Sequence, residues 1–71
     1  MAMNNMEYYC INLYGGKQAL VLAKDLNEAF NFALGHYKGG HVKDVALATK
    51  EQIEWQRLVG GEIHRANEAS K

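Results

Sequence analysis

The stretch that decides the fold is residues 7–24, EYYCINLYGGKQALVLAK, in which two runs of alternating side chains flank Gly15 and Gly16. A period of two residues is typical of β-strands, and paired glycines supply the positive-φ positions that tight hairpin turns require. The stretch therefore predicts a β-hairpin. Both of its faces carry apolar side chains, which raises the question of what covers the second face: the rest of the chain, a second copy, or a different protein.

The predicted register follows from treating Gly15 and Gly16 as a two-residue loop. Tyr14 then faces Lys17, and every pair further from the turn follows from the same count. The face expected to point inward carries Tyr9, Ile11, Leu13, Leu20 and Leu22, and the outer face carries Tyr8, Cys10, Tyr14, Ala19 and Val21.

Two helices are predicted after the hairpin, and each starts at a capping box. Asp25 can cap the first helix, with Glu28 three residues further on. Thr49 and Gln52 repeat the pattern for the second helix. The apolar stripes expected to be buried are Leu26, Ala29, Phe30, Ala33, Leu34 and Tyr37 in the first helix, and Ile53, Trp55 or Gln56, Leu58 and Val59 in the second.

A third strand is predicted over residues 41–48, between the two helices, and residues 62–71 are expected to form a short helical turn and a tail. The order β-β-α-β-α predicts a small α+β domain over residues 1–71: an antiparallel sheet, one helix packed on its inner face, and a C-terminal helix. Residues 1–6 and 66–71 are expected to fray.

The composition narrows the function classes. With 8 basic and 8 acidic residues the formal net charge is +0, so the basic stripe of a nucleic-acid-binding protein is not expected. No apolar run approaches the roughly 18 residues that cross a bilayer, and the N-terminus does not resemble a signal peptide. The lone Cys10 fits a reducing compartment. We therefore expect a cytoplasmic protein that binds neither nucleic acid nor membrane.

The residues that could form catalytic or metal-binding motifs have simpler structural explanations. Gly15 and Gly16 precede Lys17, but a phosphate-binding loop needs different spacing and opens into a helix, whereas here a strand follows. The histidines at 36, 41 and 64 lack the close ligand pairs of a zinc site. No residue is placed to orient a histidine as the base of a Cys10 nucleophile. We expect no enzyme activity, no cofactor and no metal.

Aromatic side chains favour a protein-binding surface, because tyrosine and tryptophan bury large areas at little entropic cost. The residues expected to contact a partner are Tyr8, Tyr14, Lys17, Phe32, His36 and Asp44. Two alternatives remain open from the pattern alone. The second helix can cover the outer face itself, or two copies can pair through their outer faces as a structural homodimer or assembly factor.

Residues 8–47 resemble the very short inhibitor with which podophages shut off bacterial RNA polymerase. The resemblance rests on the run LVLAKDLNEAF from Leu20 to Phe30, which contains an Ala-x-x-Leu-x-Glu-Ala helix start, and on Ala33, Tyr37 and the strand at 40–45. It implies a small phage or mobile-element protein that docks on a host bacterial complex and blocks it sterically, in the host cytoplasm.

This sequence departs from that family in two respects. The family's third strand carries alternating arginines that contribute to polymerase binding, whereas the matching positions here are Asp44 and Ala46. The family also lacks the extension over residues 49–71. Several anti-CRISPR proteins share the same size and layout, so the resemblance implies an inhibitor of either RNA polymerase or a CRISPR effector.

Overall fold

A computed structural model describes residues 6–66, which form a four-stranded sheet and two helices. The strand order is β3-β1-β2-β4, and all neighbours are antiparallel except β2 and β4, which are parallel. The α+β class is therefore confirmed, with one strand more than predicted. The ends expected to fray lie largely outside the described residues. The elements are β1 (Glu7–Leu13), β2 (Gln18–Ala23), α1 (Leu26–Tyr37), a 3-10 turn (Gly39–His41), β3 (Val42–Leu47), α2 (Lys50–Val59) and β4 (Ile63–Arg65).

The hairpin forms as predicted, but its register is shifted by one residue. The amide of Leu13 bonds the carbonyl of Lys17 at 2.9 Å, so the loop has three residues, with Gly15 at φ 96° and Gly16 at φ 87°. A three-residue loop is the next commonest hairpin turn after the two-residue loop. Because side chains alternate, this shift moves every β2 residue to the opposite face from the one predicted.

The shifted register gives the inner face small side chains. Tyr9 pairs with Val21, and Ile11 pairs with Ala19. The core between this face and α1 consists of Tyr9, Ile11, Ala19, Val21, Ala23, Ala29, Ala33 and Val42. Leu20 and Cys10 instead pair on the second face of the sheet, where both are almost completely buried.

Helix α1 starts where the capping box predicted. The Asp25 carboxylate accepts from the Glu28 amide at 2.8 Å, and the Glu28 carboxylate accepts from the Lys24 amide at 2.8 Å. The helix ends at Tyr37 as expected, but Lys38 rather than a glycine adopts the positive φ, at 67°. Together with β2 and β3, which lie parallel on either side of β1, the helix completes a split β-α-β unit.

Helix α2 answers the question that the hairpin raised, because it covers the second face of the sheet. Its capping box at Thr49 and Gln52 is complete. The Arg57 guanidinium lies 5.8 Å from the centre of the Tyr8 ring, on the face opposite to α1. Gln56 is the buried residue of this helix. Of the two alternatives expected at this turn, Trp55 or Gln56, it is thus Gln56 that is buried, whereas the expected burial of Leu58 and Val59 is wrong because both are exposed.

Strand β4 replaces the helical turn predicted after the second helix. The chain leaves α2 at Gly60, which adopts a left-handed conformation at φ 70°, and the Leu20 amide then bonds the Glu62 carbonyl at 3.0 Å. This bond starts the parallel pairing of β4 with β2, which places His64 beside Val21 on the inner face. Neither helix within the described residues is long and apolar enough to cross a membrane.

The alanine-rich contact between α1 and the sheet predicts that a larger side chain will not fit there. Ala33 is fully buried, so Ala33→Leu should lower the free energy of unfolding by about 1–3 kcal/mol, the usual effect of overpacking. The measurement is urea unfolding followed by circular dichroism. The control is Asn31→Leu, an exposed position of the same helix, which should change stability by less than about 0.5 kcal/mol. Equal stability of the two variants would contradict this packing.

Candidate protein-binding surfaces

The tip of the hairpin brings together three of the six residues expected to contact a partner. Tyr14 is 64% exposed and, with Lys17, separates two clefts. One cleft has a volume of about 520 Å³ and extends toward Tyr37 and Glu62 on the inner side. The other, of about 350 Å³, is lined by Tyr14, Lys17 and Asp44 on the outer side.

Asp44 is held in place by hydrogen bonds across the sheet. The Asn12 amide donates to the Asp44 carboxylate at 2.7 Å, and the Gln18 amide donates to the Asn12 carbonyl oxygen at 2.7 Å. These three side chains belong to β3, β1 and β2, and their registers align them in one row on the outer face. The row fixes a carboxylate beside the hairpin tip, although all three side chains border solvent.

Phe32 and His36 lie apart from the hairpin tip and have internal partners. Their rings stack at 5.2 Å, and the His64 ring of β4 lies 5.4 Å from Phe32 and 4.6 Å from His36. Phe32 is half-buried and packs against the core, whereas His36 remains exposed. Phe32 is one of the residues expected to contact a partner, but it already has a contact inside the domain, because β4 supplies His64.

A hydrogen-bonded group next to this ring cluster connects α1 with the segment that leads into β4. Tyr37 donates its hydroxyl proton to Glu62 Oε1 at 2.5 Å, and His64 Nε2 lies 3.0 Å from the Tyr37 hydroxyl and 3.1 Å from Glu62 Oε1. The bonds from Tyr37 and His64 hold the pKa of Glu62 below its ordinary value of 4.5. Burial, reinforced by Glu62, raises the pKa of Tyr37. This group ties α1 to β4.

Tyr8 and Cys10 lie under α2, on the second face. Tyr8 is half-buried beside Arg57, and Cys10 is almost completely buried. Burial raises the pKa of the Cys10 thiol, and the negative charge of Asp44 adds to the shift. A thiol with a raised pKa is a poor nucleophile at neutral pH, so Cys10 is a packing residue. The part of the outer face that holds Cys10 and Leu20, through which two copies would pair in the alternative of a structural homodimer, is covered by the chain itself.

Large apolar side chains are exposed on two other parts of the surface. Leu26, Phe30 and Leu34 form a row along α1, and Leu47 at the end of β3 is 57% exposed. A second group lies on α2 and comprises Trp55, Leu58 and Val59. The predicted α1 stripe is thus only partly buried: Ala29 and Ala33 are fully buried, and Tyr37 packs half-buried against the core.

The Glu62, His64 and Tyr37 group could not have been identified from the sequence. The sequence places Tyr37 on the helix stripe and predicts a short helical turn and a tail over residues 62–71. The only signal was the alternation within Ile63–Arg65, and three residues are too few for a period of two to stand out. Among residues 6–66, no three His, Cys, Asp or Glu side chains come together as a metal-ligand group.

Comparison with protein-family models, with curated proteins and with solved structures finds no match to this chain. Its function is therefore inferred from the exposure and chemistry of its own side chains.

The lowered pKa of Glu62 predicts a pH-dependent contribution to stability. A carboxylate whose pKa is depressed on folding stabilises the protein above its ordinary pKa of 4.5, and the contribution is lost as the pH falls through the lower folded value. Glu62→Gln should therefore flatten the decline in melting temperature below pH 4.5, measured by thermal unfolding. Glu54→Gln, an exposed position on α2, is the control and should leave that decline unchanged. A parallel decline in the Glu62→Gln variant would contradict this role.

Proposed function

We propose that this protein is a non-enzymatic protein-binding module whose docking surface is the hairpin tip, formed by Tyr14, Lys17 and Asp44. The observation that carries the proposal is the exposure of Tyr14, a large aromatic ring 64% accessible between two clefts. Aromatic side chains with a polar end dominate the energetics of protein interfaces, and they do so in the centre of a contact. The clefts on either side can receive side chains of the partner.

The charged side chains around Tyr14 can form the polar rim of a protein interface. Lys17 lines both clefts, whereas Asp44 is fixed on the outer side by Asn12. Opposite charges at separate positions orient a partner more than they add affinity. The hairpin tip therefore offers an apolar anchor, Tyr14, with two orienting charges beside it, Lys17 and Asp44.

The hairpin tip is also held in one conformation before any partner binds. The Tyr14 amide bonds the His41 carbonyl at 3.0 Å, which ties the loop to the residue preceding β3, and the bond between Leu13 and Lys17 closes the turn. A surface that is ordered beforehand loses less conformational entropy on binding. This favours recognition by a preformed surface rather than by folding upon contact.

The partner in this proposal is a host bacterial complex, RNA polymerase or a CRISPR effector, and the protein is a phage or mobile-element inhibitor acting in the host cytoplasm. The resemblance of residues 8–47 to the podophage inhibitor supports this choice. The mechanism is steric: the docked domain occupies a surface that the complex needs. Of the other expected contact residues, exposed His36 can extend the interface, whereas Tyr8 and Phe32 have packing partners inside the domain.

The test compares Tyr14→Ala with Trp55→Ala, which removes an aromatic ring of similar exposure, 58%, from α2. Each tagged protein is used to capture complexes from lysate of the host bacterium, and the captured complex is assayed for transcription or target cleavage. The native protein and Trp55→Ala should inhibit the activity. Tyr14→Ala should bind about 30-fold more weakly, the effect of losing an interface anchor of about 2 kcal/mol.

Circular dichroism of both variants shows whether each is folded. Inhibition that survives Tyr14→Ala and fails in Trp55→Ala would move the interface to α2 and overturn the proposal for the hairpin tip. A native protein that captures no complex, or captures one without inhibiting it, would overturn the proposed inhibition.

A further inference from the structure

Strand β3 forms an open edge of the sheet. Within residues 6–66, no strand lies beyond it. The Ala48 amide donates to the Tyr8 carbonyl at 3.0 Å, and backbone groups along an antiparallel strand point alternately to its two sides. The amide and carbonyl groups of Val45 and Leu47 therefore point away from β1. An edge of this kind is a template for pairing with another strand.

The edge is protected at only one of its ends. Near the start of β3 the register with β1 shifts between Asn12 and Leu13, which marks a bulge, and Lys43 and Asp44 are exposed there. Bulges and charges are the devices that discourage edge pairing. The second half of the strand, Val45, Ala46 and Leu47, has neither of them.

The exposed row on α1 lies on the same side of the molecule as this edge. Phe32 and His36 approach His64 of β4, at the opposite edge of the sheet. At 100° per residue, Phe30 and Leu34 project from the other flank of the helix, above β3. Leu47 pairs with Tyr9 and so shares the inner face with α1. The open strand and the row Leu26, Phe30 and Leu34 therefore border one continuous apolar side.

The two ends of this side carry opposite charge. The end where α1 begins holds Glu7, Lys24, Asp25 and Glu28, and the end at the hairpin holds Lys17, Lys38, Lys43 and Asp44. The first set is net negative and the second is net positive. At the negative end, burial raises the pKa of Tyr9, and the charges of Glu7 and Asp25 raise it further. If a second copy places its β3 and α1 antiparallel to these, its positive end lies beside the negative end of the first copy, and its negative end lies beside the positive end.

We propose that this side is a dimer interface, at which a second copy of the chain adds its own β3 antiparallel to the first. A two-fold axis through Ala46 places Val45 opposite the partner's Leu47 and lets their outward amides and carbonyls form four hydrogen bonds. No charge then opposes a like charge, whereas an axis at Asp44 brings two carboxylates face to face. The two α1 helices lie antiparallel on one face of an eight-stranded sheet, with their exposed rows in contact.

The size of this side sets the expected affinity. A standard interface buries about 800 Å² per partner, which is about one sixth of the 5058 Å² surface of this chain. The side is about 18 Å long, the length of a 12-residue helix, and two layers deep at about 10 Å each. A contact of this extent belongs to the smaller interfaces, so we expect a dissociation constant on the order of micromolar. The dimer leaves Tyr14 and Lys17 of both hairpin tips free, at opposite ends, and it pairs β3 through its backbone while the Asp44 side chain stays on the outer face. The dimer can therefore be confirmed or overturned separately from the proposed function.

The test is sedimentation equilibrium of the full chain from about 1 μM to about 1 mM, a range that brackets the expected constant. The mass should rise from 8.0 kDa toward twice that value. The double variant Phe30→Lys, Leu47→Lys places charges on the helix row and on the edge, and it should weaken association at least 100-fold. Leu58→Lys, at a position on α2 that is 80% exposed, is the matched control and should associate like the native chain.

Hydrogen exchange identifies the surface directly. The amides of Val45 and Leu47 should be protected at high concentration and should exchange rapidly on dilution and in the double variant. A chain that is monomeric at every concentration overturns the proposal, and so does protection of these amides in a monomer, which would mean that the chain covers its own edge. A dimer that Leu58→Lys dissociates and the double variant leaves intact assigns the interface to α2 and equally overturns it.

Discussion

The three-residue loop of the hairpin is the constraint on which the rest of the structure depends. By pairing Leu13 with Lys17 it places Ala19 and Val21 beneath α1 and turns Leu20 to the opposite face. The first consequence is an inner face of small side chains, on which α1 lies with Ala29 and Ala33 against the sheet. The second is a buried leucine on the other face, which an open hairpin would expose to water at a cost of about 2 kcal/mol. Helix α2 is therefore required by the fold, because it covers the middle of the second face, where Cys10 and Leu20 are buried.

A small inner face also explains why so much apolar surface remains. Two alanines bring α1 close to the sheet but bury little area, so the larger side chains of its stripe stay at the flank of the helix, where Phe30 is 42% exposed. At the same time β3 is an edge strand within the described part of the chain, since β4 extends the sheet on the other side. Exposed apolar groups next to an open strand are costly for a monomer and suited to association. The hairpin tip, with Tyr14 in a tied loop, is a separate surface.

The sequence predicted those features that depend on local chemistry. Both helix starts were found because a cap at Asp25 or Thr49 needs only a partner three residues away. The strand register could not be predicted, because Gly15 and Gly16 suit loops of two or of three residues. Since both faces carry apolar side chains, the alternation along the strands does not distinguish the two loop lengths. Strand β4 was missed because parallel pairing with β2 is a contact between distant segments. Without β4 the sequence also could not reveal the internal contact of Phe32, because its partner His64 is on β4. Of the expected contact residues, Tyr14, Lys17 and Asp44 meet at one end, because all three flank the turn or pair with the strand beside it.

The measurement that tests this account most directly is a set of nuclear Overhauser contacts between α-protons across the hairpin. With the three-residue loop, Cys10 and Leu20 form a non-hydrogen-bonded pair whose α-protons lie close together, as do those of Tyr8 and Leu22. The account predicts strong cross-peaks for both pairs. Cross-peaks that follow the two-residue loop, with Ile11 opposite Leu20, would contradict it. They would return Leu20 to the inner face and remove the reason for α2 to cover the sheet.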